Sequence, residues 1–165
     1  YYVTLDEAHF ASWLDTRGPV SLYVEKNMEY DDGMTTPIRL AQGYQELDGK
    51  QAVAYLRYRD DIVGELGRIQ RQQRFLKAYF AQLQKQYSWV NYMYTYFSWH
   101  HFTSNISAGD GAKLVYELTK MPPENIAFYI VPGEPQTAGE IHYWQVDPIG
   151  SQTLIGKTLT RNMAE

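Results

Sequence analysis

Apolar positions in this chain switch between a spacing of two and a spacing of three to four, and the switches mark out its elements. Tyr1 to Leu5 reads as a strand. Asp6 is a helix N-cap, and Phe10, Trp13 and Leu14 fall on one face of the helix it opens. Arg17-Gly18-Pro19 ends that helix. Val20, Leu22 and Val24 alternate with Ser21, Tyr23 and Glu25, which predicts a strand with one buried face. Residues 27–36 carry no period and read as a polar loop around Asp31-Asp32-Gly33.

Asp48 and Gln51 have capping-box spacing. The helix they open carries Ala52, Val53 and Leu56 inward and ends near Arg59. Residues 60–67 form a Gly-punctuated loop. Ile69, Gln72, Phe75, Leu76, Tyr79, Phe80 and Leu83 then recur at near-helical spacing, predicting a long helix over 66–86. In 87–102, Tyr92, Tyr94 and Tyr96 alternate as in a strand, yet Trp89, Met93 and Tyr96 share a helical face, and helix is the expectation. Ser107 with Asp110 opens a further helix to about Lys120, and Pro122-Pro123 closes the region. Strands are expected at Ile126–Val131 and Ile141–Val146 around a Pro/Gly-rich turn, and a last helix between Pro148 and Asn162. Strands interleaved with helices, without repeat or linker, predict one α/β domain over residues 1–165.

Composition narrows the class. The chain has 165 residues and a net charge of −4, with 44% hydrophobic and 21% charged residues, which excludes disorder. It lacks cysteine, which excludes disulfides and thiolate metal sites. No apolar run approaches the roughly 20 residues of a membrane span, and no signal peptide is visible. The opening Tyr1-Tyr2-Val3-Thr4 reads like the inside of a strand, so the expectation is a piece of a longer precursor. Tyrosine dominates the aromatics, 15 residues against 6 Phe and 4 Trp, and its apolar face with a polar tip suits grooves.

Against this acidic background, Arg57, Arg59, Arg68, Arg71 and Arg74 crowd into one stretch. The guanidinium fork matches phosphate oxygens in a bidentate grip. Three readings compete: a solvated face paired with Asp60, Asp61 and Glu65, a phosphate or pyrophosphate cradle, and nucleic-acid binding, which the acidic pI of 5.6 disfavours. For the cradle, Arg68, Arg71 and Gln72 stand at i, i+3 and i+4 in the first turns of a helix, where backbone N–H groups also favour an anion. Arg57 and Arg59 would approach from the preceding helix, and Arg74 would point elsewhere. Glu65 is either a proton acceptor beside the arginines or a first-turn partner of Arg68. His100-His101 reads as a polar tip rather than a metal site, and Asp31-Asp32-Gly33 lacks the terminal Glu of a calcium loop. Trp89, Met93, Tyr96 and Trp99 read as core, or as the wall of a lipid tunnel.

Several spaced elements carry a resemblance. Leu47-Asp48-Gly49-Lys50-Gln51-Ala52, Tyr55-Leu56-Arg57-Tyr58-Arg59, Gly67-Arg68, and Arg71-Gln72-Gln73 with Phe75-Leu76-Lys77 resemble, in order, the signature of the LytR-CpsA-Psr (LCP) family. Tyr2-Val3-Thr4, Leu14-Asp15, Gly18-Pro19-Val20 and Thr103-Ser104-Asn105-Ile106-Ser107 extend the likeness outward. The resemblance implies a central sheet flanked by helices, with the N-terminal part of the domain lying outside this chain. It implies an extracytoplasmic, membrane-anchored enzyme of the bacterial envelope. Such an enzyme transfers a glycopolymer phosphate from a polyprenyl pyrophosphate carrier to peptidoglycan, with Mg2+ held mainly by that N-terminal part, and it uses no nucleic acid. Arg57, Arg59, Arg68 and Gln72 would contact the pyrophosphate, while the apolar core would house the polyprenyl tail. Glu65 stands where the family usually has Asp, and Pro19 where a second Gly is common. The alternative is a module that holds the lipid phosphate without turnover.

Overall fold

The computed structural model describes residues 1–4, 6–31, 33, 37–59, 64–85, 88–122, 125–139 and 141–161, without the side chains of residues 65, 88, 141, 142 and 159–161. The chain forms two compact units, Tyr1–Ile126 and Ala127–Glu165.

In the first unit, strand β1 (Val3–Thr4) leads into helix α1 (Glu7–Arg17). The Asp6 side chain accepts the His9 N–H and starts the helix, and Gly18, at φ +91°, lets the chain leave it. Strand β2 (Val20–Val24) alternates buried and exposed as its sequence requires. The stretch expected to be a loop contains β3 (Met28–Tyr30), which pairs antiparallel with β4 (Ile38–Leu40). Three-residue strands are too short to print a period. What holds them is burial of Met28, Ile38 and Leu40. Strand β5 (Gly43–Leu47) pairs along the whole of β2, with Val20 opposite Leu47. The capping box forms at Asp48 and Gln51, and helix α2 (Gly49–Arg57) ends at Arg57, two residues before the expected Arg59. Helix α3 (Gly64–Gln84), helix α4 (Ser88–Ser98), a 3-10 turn (Trp99–His101), strand β6 (Thr103–Ser104) and helix α5 (Ala108–Lys120) follow, and β6 pairs with β1.

Trp13, Leu14, the inner face of β2, Leu47, Ala52, Tyr55, Phe75, Tyr79 and Leu83 form one core. Helix α4 reverses the expected pattern. It buries Asn91, Thr95 and Ser98 and exposes Trp89, Met93, Tyr96 and Phe97. The reason lies in its partners. The Asn91 amide donates to the Leu83 carbonyl in the last turn of α3 (2.9 Å) and accepts from Arg17 (2.6 Å), and the Trp13 indole donates to Ser98 (3.2 Å). The polar face of α4 thus satisfies groups that the core would otherwise leave open.

In the second unit, β7 (Gly133–Ala138) and β8 (Ile141–Val146) make an antiparallel hairpin, and helix α6 (Pro148–Arg161) follows. The expected strand at Ile126–Val131 is not a strand. Gly139, at φ +62°, turns the chain so that Ala138 faces Ile141, and this fixes the ladder on 133–138. Val131 is instead bonded through its carbonyl by the Trp144 indole (3.0 Å). The whole is mixed α/β, and among the described residues the strands pair two by two.

Candidate anion-binding cleft

Three helices bring the site together. Gly49, at the start of α2, lies against the backbone of Ala11, where any Cβ would overlap the Ala11 carbonyl, and its N–H donates to the Asp15 carboxylate (2.7 Å). This contact docks α2 on α1 and carries Arg57, in the last turn of α2, to the first turn of α1. There its guanidinium meets Glu7 at 3.3 Å. Arg68 and Gln72 arrive from α3. The result is a cleft of about 410 Å3 lined by Glu7 and Phe10, by Val53, Leu56 and Arg57, and by Arg68 and Gln72. Two guanidinium groups, one amide and one carboxylate leave a net positive charge over an apolar wall. That combination grips a phosphate and accommodates an attached hydrocarbon. A second hollow of about 430 Å3 shares Glu7, Val53 and Arg57 and is otherwise lined by α1 and α2.

Arg71 is not brought to the cleft. It is 2% exposed, and its guanidinium donates to Glu25 (3.2 Å) and to the Tyr58 carbonyl (2.5 Å). Helix geometry explains the separation. From Arg68, position i+4 lies about 40° round the helix and i+3 about 60° the other way, which turns residue 71 towards the protein. Arg74 also pairs with Glu25 (3.2 Å), not with the acidic residues near it in sequence. Arg59 is exposed beyond the end of α2 and does not line the cleft. Glu65 lies in the first turn of α3, and its side chain is outside the described ones, as are Asp60 and Asp61 entirely.

Glu25 is the residue that sequence reading missed. Burial raises its carboxyl pKa, but hydrogen bonds from its own backbone, from Arg71 and from Tyr55, with the charge of Arg74, outweigh that and hold it below its ordinary value. Tyr55 donates to the same carboxylate (3.1 Å), and burial together with the Glu25 charge pushes its hydroxyl up to about 12. Glu7 and Phe10 were likewise invisible as site residues, because only tertiary packing brings α1 to the arginines.

Among the described residues no three carboxylate or imidazole groups gather around a point that would take a metal ion. The cleft's carboxylate, Glu7, is already bonded to Arg57. The described side chains therefore do not form a magnesium site. His100 and His101 pack ring against ring (4.2 Å between centroids) in a separate polar hollow with the Asp6–His9 pair. No described helix is long and apolar enough to cross a membrane.

The profile of the LytR_cpsA_psr family matches residues 1–158. Over 79 residues the chain is 34% identical to the regulatory protein MsrR of Staphylococcus aureus, a stretch that is 47% of this chain and 23% of MsrR. Its fold is similar to that of TagV from B. subtilis, with a TM-score of 0.75 at 21% identity over 97% of this chain and 62% of TagV. The LytR-Csp2A-Psr enzyme from Actinomyces oris has a TM-score of 0.66 at 20% identity over 94% of this chain and 62% of that one. The chain thus spans less than two thirds of each of these relatives.

Proposed function

This chain belongs to the LytR-CpsA-Psr family, and from that premise we propose that it forms the diphosphate-gripping part of a bacterial cell-envelope enzyme that attaches glycopolymers. In this reading the donor is a glycan carried on a polyprenyl pyrophosphate and the acceptor is peptidoglycan. The observation that carries the proposal is the convergence of Arg57, Arg68 and Gln72 on one cleft with an apolar wall. The two guanidinium forks would neutralise the diphosphate and the Gln72 amide would donate a further hydrogen bond. Phe10, Val53 and Leu56 would receive the first carbons of the lipid. Arg59, just beyond α2, is assigned the outer phosphate oxygens.

In the transfer step the acceptor hydroxyl oxygen forms a bond to the glycan-linked phosphorus while the bond from that phosphorus to the polyprenyl phosphate breaks. The hydroxyl proton goes to a carboxylate, for which the family signature nominates Glu65. The charge that grows on the departing phosphate falls to Arg57 and Arg68. No step is routed through magnesium, because the described residues do not hold it. An envelope location follows from the family, while the membrane anchor and the whole protein's acceptor belong to the proposal.

The test uses the full-length protein with a lipid-linked glycan, a peptidoglycan acceptor and magnesium. Transfer of label to the acceptor, lost in Arg68→Ala, is the expected result. Binding of the lipid without transfer, with transfer gained on Glu65→Asp, would identify a holding module instead. Absence of both binding and transfer would remove the proposal.

A further inference from the structure

Glu25 stands one residue past β2 and touches neither cleft. Its carboxylate nevertheless accepts from three side chains on the two helices that build the arginine site: Tyr55 of α2 at 3.1 Å, and Arg71 and Arg74 of α3 at 3.2 Å each. Tyr55 is two residues from Arg57. Arg71 is the residue before Gln72. One oxygen-rich group thus ties α2 to α3 at the level where both present ligand-facing side chains.

Arg71 completes the tie. Helix α2 ends at Arg57, and Tyr58 takes extended backbone angles (φ −52°, ψ 127°). The last carbonyls of a helix have no partner within it. The Tyr58 carbonyl finds one in Arg71, whose guanidinium also lies over the Tyr58 ring at 5.1 Å. Tyr58 is the link between Arg57 and Arg59, so the grip of Arg71 fixes the peptide from which both arginines project. Arg71 does this while 2% exposed, so it has no open face for a ligand.

We propose that Glu25 and Arg71 are positioning residues of the diphosphate cleft, acting on the ligand through Arg57 and not by contact. The proposal rests on the diphosphate reading above. It has a consequence that simple electrostatics does not share. Removing the Glu25 charge makes the neighbourhood of an anion site more positive, and long-range Coulomb terms alone would tighten anion binding. If Glu25 positions Arg57, the same change weakens binding.

The experiment titrates the protein with farnesyl diphosphate by calorimetry and measures amide hydrogen exchange in the absence of ligand. Glu25→Gln keeps the shape of the side chain and limits the risk of misfolding. It is expected to bind about 5- to 10-fold more weakly, the scale of one lost charge-assisted bond. Tyr55→Phe, which changes no charge, is expected to lose about 2- to 3-fold, the scale of a neutral hydrogen bond. In an Arg57→Ala background Glu25→Gln should change affinity by less than about 2-fold, because residues acting as a unit are not additive. A general loss of stability would not produce that pattern. Without ligand, amides of residues 55–59 in Glu25→Gln should exchange about 10-fold faster while those of α5 keep their rates. Equal or tighter binding by Glu25→Gln, or unchanged exchange at 55–59, overturns the proposal. A wild-type chain that does not bind farnesyl diphosphate would defeat the function proposed above, and the exchange measurement would still decide this one.

Discussion

Replacing Glu7 with Gln should strengthen the cleft's hold on a diphosphate. Glu7 Oε2 lies 3.3 Å from Arg57 Nη1. A phosphate oxygen received on the far side of that guanidinium would stand about 3 Å further, so roughly 6 Å from the Glu7 charge. Its side chain is 62% exposed, so the dielectric is close to that of water. Two unit charges at about 6 Å then repel by about 0.7 kcal/mol, and a doubly charged diphosphate by about 1.4 kcal/mol. Salt with a Debye length of about 8 Å removes roughly half of this. The opposing effect is the loss of the Arg57–Glu7 pair, which fixes the guanidinium in the free protein and, as a surface ion pair, is worth about 0–1 kcal/mol. A ligand must break that pair or share it, so its loss also removes a competitor. Repulsion wins, and the net gain is about 0.7–1.4 kcal/mol, or about 3- to 10-fold in affinity at low salt. Calorimetric titration with farnesyl diphosphate at low and high salt measures it, and the advantage should shrink as salt rises. Affinity that falls on Glu7→Gln would refute the reasoning and make Glu7 the holder of Arg57. Affinity that does not change at low salt would place the anion elsewhere.

Arg68→Ala should weaken farnesyl diphosphate binding by about 1.5–3 kcal/mol, the range for a hydrogen bond to a charged group, while the melting temperature stays nearly constant. An unchanged Kd would return Arg68 to the role of a solvated surface charge. Leu14→Ala, at a fully buried core position, should cost about 2–5 kcal/mol in urea unfolding, and a loss below 1 kcal/mol would mean that the core around α1 is not formed as described. The acid limb of stability should depend on Glu25. Its folded carboxyl lies below the ordinary 4.5, so its contribution is complete above pH 4.5 and disappears as pH falls through the lower folded value. Glu25→Gln should flatten the stability profile below pH 4.5, and an acid limb as steep as that of the wild type would show that the carboxylate is not held by its partners.

Residues whose structure is set by near neighbours were readable in advance. The Asp48–Gln51 capping box, the Asp6 cap and the alternation of β2 are local facts, and the chain obeys them. The arginine stretch was readable as a likely-charged ligand site only in part, because helical spacing says which residues share a side and not which side faces solvent. Arg68 and Gln72 line the cleft, whereas Arg71 lies between them in sequence and faces Glu25, a partner 46 positions away. Helix α4 failed for the same reason. Its aromatic stripe looked like core, but the unpaired groups at Arg17, Leu83 and Trp13 claim its polar face for the interior. A pattern of hydrophobicity carries no record of which buried polar groups await partners.

The two carboxylates near the arginines allow charge to be separated from geometry. Glu7 and Glu25 each contribute one negative charge, and each bonds guanidinium groups of the same signature. A site governed by net charge would respond to Glu7→Gln and Glu25→Gln in the same direction, differing only with distance. The packing argues for opposite signs. Glu7 is largely exposed and shares Arg57 with the ligand position, so it competes. Glu25 is bonded to Arg71, whose guanidinium is buried and also grips the Tyr58 carbonyl, so it builds. Breaking a buried pair from one side leaves an uncompensated charge inside, and the chain around Tyr58 must move to relieve it. Measured in one buffer with one ligand, tighter binding by the first variant and weaker binding by the second would establish that the signature divides its arginines between gripping and bracing. The same sign from both would leave charge alone as the basis of recognition.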